Sequence, residues 1–136
     1  MGDDFVAALD SFSPTDGNWF GLEPLLEQIF RREISPAEMV AMLRVFERFP
    51  EEDGTGVFWS IVHGLETLSG YEPFLVASVQ RVPSDFAVIM LGRILNSGQR
   101  EIGDIFIPAL LGVVQASPQA SAAVKRRAHD LQSRNA

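Results

Sequence analysis

Residues 58–68, Phe58-Trp59-Ser60-Ile61-Val62-His63-Gly64-Leu65-Glu66-Thr67-Leu68, decide the fold class. Phe58, Ile61, Val62, Leu65 and Leu68 fall at i, i+3, i+4, i+7 and i+10, the repeat of a helix with one apolar face. Ser60, Gly64 and Thr67 run beside that stripe, and side chains this small let a second helix come close. Trp59, His63 and Glu66 share a further face. It reads either as a contact or small acid–base site, or as a His63–Glu66 hydrogen bond beside a partly buried Trp59.

Helix punctuation continues on both sides. Upstream, Ser35-Pro36-Ala37-Glu38 is a capping box with proline in the first turn. The helix it opens carries Met39, Val40, Met42, Leu43, Val45, Phe46 and Phe49, and Pro50 ends it. Glu51 to Gly56 then reads as a loop. A shorter helix is expected from Leu22 or Glu23 to Arg32, and another from Asp3 to Phe12, joined by a turn-rich link at Ser13–Gly17.

Downstream, Gly70 is a stop signal and Tyr71-Glu72-Pro73 starts a helix that ends before Pro83. Ser84 caps a helix closed by Asn96-Ser97-Gly98. Apolar residues cover most of that helix's circumference, so it should be the central one. Asp104 is expected to cap a helix through Ile107, Leu110, Leu111 and Val114, and Ser117-Pro118 to start the last. No segment alternates convincingly with a period of two; Val76–Val82 is the best strand candidate, and its flanks favour helix.

The expectation is one all-α domain over residues 1–136, with about seven helices and short links. Consecutive helices should pair as antiparallel hairpins starting at 36, 73 and 104. The result is either an irregular helical-repeat-like stack or a compact bundle.

Composition narrows the function. The 136 residues hold no cysteine, which removes disulfides, thiolate metal sites and cysteine nucleophiles. The net charge of −7 disfavours nucleic acid and suits a basic protein partner. That charge is unevenly placed. Residues 1–53 hold four bases against twelve acids, a net −8, while residues 54–136 are +1. The densest run, Glu51-Glu52-Asp53, lies in the expected loop, where binding residues are often presented.

The longest charge-free run, 105–124, is interrupted by prolines and polar residues and does not read as a membrane span. The start, Met1-Gly2-Asp3-Asp4, is acidic where a signal peptide would be basic, and Val6 spoils a myristoylation motif. A soluble, cytoplasmic protein is expected.

Motifs for catalysis are sparse. His63 and His129 form no H-E-x-x-H pair, Gly54-Thr55-Gly56 is no phosphate loop, and no G-x-S-x-G elbow occurs. Glu51, Glu52 and Asp53 could gather a divalent cation, yet no calcium-loop pattern surrounds them. Arg31-Arg32 and Lys125-Arg126-Arg127 are explained as cations near helix ends or on exposed faces. An enzyme with an acidic or metal site around Glu51–Glu66 is therefore the weakest reading. No catalytic residue, cofactor or metal is expected.

One stretch carries a resemblance. Phe46-Glu47-Arg48-Phe49-Pro50 precedes the acidic glycine loop and Phe58–Glu66. Tyr71-Glu72-Pro73, Pro83-Ser84-Asp85-Phe86 and Leu95-Asn96-Ser97-Gly98 follow. This order, over about two fifths of the chain, resembles small α-helical immunity proteins of bacterial polymorphic-toxin and contact-dependent inhibition systems. The resemblance implies a cytoplasmic, non-enzymatic inhibitor that binds a cognate toxin domain and blocks its active site. It carries no contact residue over.

From the residues themselves, the expected contact region is Glu51, Glu52 and Asp53 with Trp59, His63, Glu66, Tyr71 and Glu72. The carboxylates would meet Arg or Lys, and Trp59 and Tyr71 would be apolar anchors. A helical scaffold or adaptor with an endogenous basic partner is the alternative.

Overall fold

In the computed structural model, which describes residues 2–135, eight α-helices account for most of the chain. They are α1 (Gly2–Ser11), α2 (Leu22–Phe30), α3 (Pro36–Arg48), α4 (Phe58–Glu66), α5 (Glu72–Arg81), α6 (Asp85–Asn96), α7 (Ile107–Ala116) and α8 (Ala122–Arg134). A 3-10 turn at Gly54–Gly56 leads into α4. The fold is all-α, as the periodicity predicts.

Local signals fix several boundaries. At α3 the Ser35 hydroxyl accepts from the Glu38 N–H at 3.2 Å, and the Glu38 carboxylate accepts from the Ser35 N–H at 2.8 Å. Ser84 caps α6 by accepting from the Ala87 N–H. Caps of this kind each contribute about 1 kcal/mol.

Other boundaries differ from expectation. The α4 helix ends at Glu66, and Gly70 lies beyond it in a turn at φ +82°. Asp104 does not cap α7. It sits between β1 (Glu101–Ile102) and β2 (Ile105–Phe106), a minimal antiparallel hairpin in which Glu101 faces Phe106. Two residues per strand are too few to leave a period in sequence. The α8 helix starts at Ala122 behind Ser121, whose side chain accepts from the Val124 N–H, rather than at Ser117-Pro118. Both serines suit an N-cap, and Ser121 is followed directly by the Ala-rich segment with better helix propensity.

The α6 helix is central. Eight of its twelve residues are buried, and it borders α3, α4, α5, α7 and α8. The α7 and α8 helices pair closely, while α3 rests chiefly on α1 and α5, not on its sequence neighbour α4. Buried side chains from Leu9 to Leu131 form one core. The small-residue line on α4 faces α2. A Cβ at Gly64 would run into the Phe30 ring, and the Ser60 hydroxyl donates to Glu23 at 2.7 Å.

Arginines tie helices together across the surface. Arg44 clasps Asp10 with both nitrogens (3.0 and 2.9 Å), and Arg48 donates to the Leu9 and Phe12 carbonyls, so α3 holds α1. Arg81 and Ser78 of α5 meet Glu47 of α3, and Arg127 of α8 meets Asp85 of α6. Exposed pairs of this type contribute about 0.2–1 kcal/mol each.

Aromatic rings join α3, α4 and α6 to the 13–21 link. Phe58 stands edge-on to Trp19 (4.9 Å between centroids) and Phe86 (5.5 Å), and lies 5.1 Å from Phe46. Gly54 lies against the Phe58 ring, with φ +61°. A Gly54→Ala change therefore adds a left-handed backbone cost of about 1–2 kcal/mol to an overpacking cost of about 1–3 kcal/mol. Gly56, at φ +90°, has open space where a Cβ would stand, so Gly56→Ala incurs the backbone cost alone. Urea unfolding of the two variants should place Gly54→Ala clearly below Gly56→Ala; equal losses would contradict the wedged position of Phe58.

Candidate functional site

The eight residues singled out by the sequence lie along α4, in its two flanking loops and at the start of α5. They do not form one cluster. A nine-residue helix separates the loop at residues 51–53 from Glu66 by about 14 Å of axial rise.

At the N-terminal end, Glu51, Glu52 and Asp53 are all exposed. Asp53 is partly committed to the fold, because its carboxylate accepts from the Thr55 N–H at 2.8 Å. This side-chain turn supports Thr55 in a left-handed conformation, φ 53°. Glu51 and Glu52 make no side-chain hydrogen bond or ion pair among the described residues. The Asp85 N–H donates to the Pro50 carbonyl at 2.7 Å and pins the start of the loop to α6. Glu51 also borders a shallow cavity of about 330 Å³ with Arg126, Arg127 and Asp130, so positive charge lies beside the acidic run.

Midway along α4, Trp59 is half-buried, edge-on to Phe86 at 5.3 Å. The exposed His63 ring lies 5.7 Å from the Trp59 ring. The anticipated hydrogen bond from His63 to Glu66 does not form. Both Glu66 oxygens instead accept from Arg93 of α6, at 2.7 and 2.9 Å. Hydrogen bonding to Glu66 raises the Arg93 pKa further, against a smaller lowering by burial. The Arg93 guanidinium also lies 5.6 Å from the Trp59 ring centre, a cation–π distance.

At the C-terminal end, Glu66, Tyr71, Glu72 and Arg93 line a polar cleft of about 500 Å³. Tyr71 is 8% exposed and therefore offers little ring surface as an apolar anchor. Its phenol pKa is pushed up to about 12, first by burial, then by the negative charges of Glu72 and Glu66; Arg93 opposes them. Glu72 sits in the first turn of α5, half-buried and without an ion-pair partner among the described residues.

Arg93 is the residue sequence reasoning missed. Its signal was present: it is the one charged residue on α6 past the first turn. A second omission is the exposed apolar surface of Phe106, at the end of β2, with Ala109 and Val113 of the uncharged α7. Phe106 and Val113 are 46% and 60% exposed, which is high for large apolar side chains.

Among the described residues no group of three or more His, Asp or Glu is placed to hold a metal ion. No helix there is long and apolar enough to cross a membrane. A scan against protein-family models and searches of curated proteins and of solved structures return no match.

Tyr71 is the chain's only tyrosine, so phenolate absorbance reports on it alone. In the folded protein it should ionise near pH 12 instead of the ordinary 10. The raised pKa means the fold prefers the neutral phenol. The stabilisation it provides is complete below pH 10 and is lost as pH rises from 10 to 12. Glu72→Gln should move the titration back toward 10; an unmoved titration would show that Glu72 does not act on the phenol.

Proposed function

We propose that the protein is a non-enzymatic immunity protein, which binds a cognate bacterial toxin in the cytoplasm and covers its active site. The supporting observation is the contrast among its carboxylates. Asp10, Glu38, Glu47, Glu66 and Asp85 each face an arginine within the chain. Glu51 and Glu52 are among the exposed acids without such a partner in the described residues, and they stand side by side on a loop held by Pro50, Gly54 and the Asp53 turn.

A fixed pair of free carboxylates needs little ordering when it meets a basic surface. It would pair with Arg or Lys lining a toxin site that ordinarily takes a phosphate-bearing substrate, as in a nuclease, a nucleotide-modifying enzyme or an NAD-consuming enzyme. His63 and Trp59 would extend that contact along α4. The engagement of both Glu66 oxygens by Arg93 speaks against a His63–Glu66 acid–base pair and for binding over catalysis.

The exposed apolar side chains of Phe106, Ala109 and Val113 favour a second reading, an adaptor with an endogenous partner. The two readings separate by co-expression with the product of the adjacent gene. Growth rescue and co-purification are expected for the immunity reading, and failure of both would end it.

The interface has its own test. Glu51→Lys and Glu52→Lys reverse the free charges, while Asp53→Asn keeps the side-chain oxygen that holds Thr55. The triple variant should fold normally and bind the toxin about tenfold or more weakly, mainly through slower association. Unchanged affinity in the folded variant would remove this loop from the interface.

A further inference from the structure

The polar cleft at the far end of α4 has the features of a cation subsite. Glu66 and Glu72 contribute two negative charges, and Arg93 is the one base in its lining. Because Arg93 is held by both Glu66 oxygens, Glu72 is left as the unbalanced charge. The C-terminal ends of α4 and α6 also border the cleft, near Ser69 and Ser97, and helix C-termini carry partial negative charge.

Tyr71 is an independent sign of a ligand. More than nine-tenths of it is buried, it lines the cleft, and its hydroxyl has no hydrogen-bond partner among the described residues. No fully buried side-chain nitrogen or oxygen there lacks a partner, so the Tyr71 hydroxyl is the part that reaches the opening. The hydroxyl thus stands at the cleft wall with its donor and acceptor capacity unused within the described residues. The phenol sits in net negative potential, since its carboxylate neighbours raise its pKa more than Arg93 lowers it.

We infer that this cleft receives one guanidinium side chain from a protein partner, with Glu72 as its charge partner and the Tyr71 hydroxyl as an acceptor. A guanidinium carries five donors in a plane, and the cleft offers acceptors on several walls: the Glu72 carboxylate, the phenol and the Ser69 hydroxyl. Its volume of about 500 Å³ holds a whole arginine side chain. What carries the guanidinium rests on the reading of a basic protein partner; the cleft is tested without that partner.

The probe is N-acetyl-arginine amide, with its uncharged citrulline counterpart as comparison. The readout is the ring resonance of Tyr71, which is unique in the chain. Arginine amide should shift it saturably at millimolar concentration, and the citrulline compound should not. Glu72→Gln should weaken binding about fivefold, the loss of one charge-assisted contact in a solvated cleft. Tyr71→Phe keeps the ring and should weaken it too, followed through the Arg93 side-chain signal. Equal shifts from both compounds, no saturable shift, or undiminished affinity in Glu72→Gln would each overturn the inference. Toxin neutralisation without arginine binding removes the subsite and leaves the inhibitor reading. Arginine binding without toxin binding does the reverse.

Discussion

The Phe58 ring is the constraint on which the N-terminal half of the molecule depends. It is fully buried between Trp19, Phe46 and Phe86 and lies directly under Gly54. Aromatic pairs at these distances and angles add about 0.5–1.5 kcal/mol each beyond their burial. The geometric effect matters more. One side chain orients α4 against α3 and α6, draws the 13–21 link inward through Trp19, and sets the height of the acidic loop. Trp59, the next residue, meets the same Phe86 ring edge-on.

The charged residues divide by their relation to that core. Carboxylates at helix borders are taken up by arginines from another helix, as in Asp10–Arg44, Glu47–Arg81 and Asp85–Arg127. Such pairs add little energy singly, yet each selects one register of its two helices. The acids left over are concentrated before residue 54, which is where the net −8 arises. A charge imbalance visible in sequence thus separates into a structural share and a free share only when the partners are known.

Sequence made the helices legible because their signals are local. The capping box at Ser35, the Ser84 cap, and the 3.6-residue stripe of Phe58 to Leu65 all act within one or two turns. Legibility failed where two local signals competed, at Ser117 and Ser121, and where strands of two residues were too short to show a period. For the site, the residues were named but their arrangement was not. Glu66 finds Arg93 across 27 positions, and no rule of i+3 or i+4 spacing ranks that partner above the nearer His63. Trp19 went unnoticed for the same reason, lying in a turn-rich link with its nearest ring partners, Phe49 and Phe58, remote in sequence.

The arginine clasp on α1 bears on how the chain assembles. Among the described residues, the hydrogen bonds that α1 receives from another helix come from Arg44 and Arg48, on α3. Until α3 emerges, α1 has little to bury its apolar face against, and a ten-residue helix alone is marginal in water. The α7–α8 pair is the opposite case. Its two helices are separated by a short link and can meet as soon as both exist. Order along the chain and order of structure therefore differ: α1 precedes α3 and must wait for it, whereas α7 and α8 can meet as neighbours.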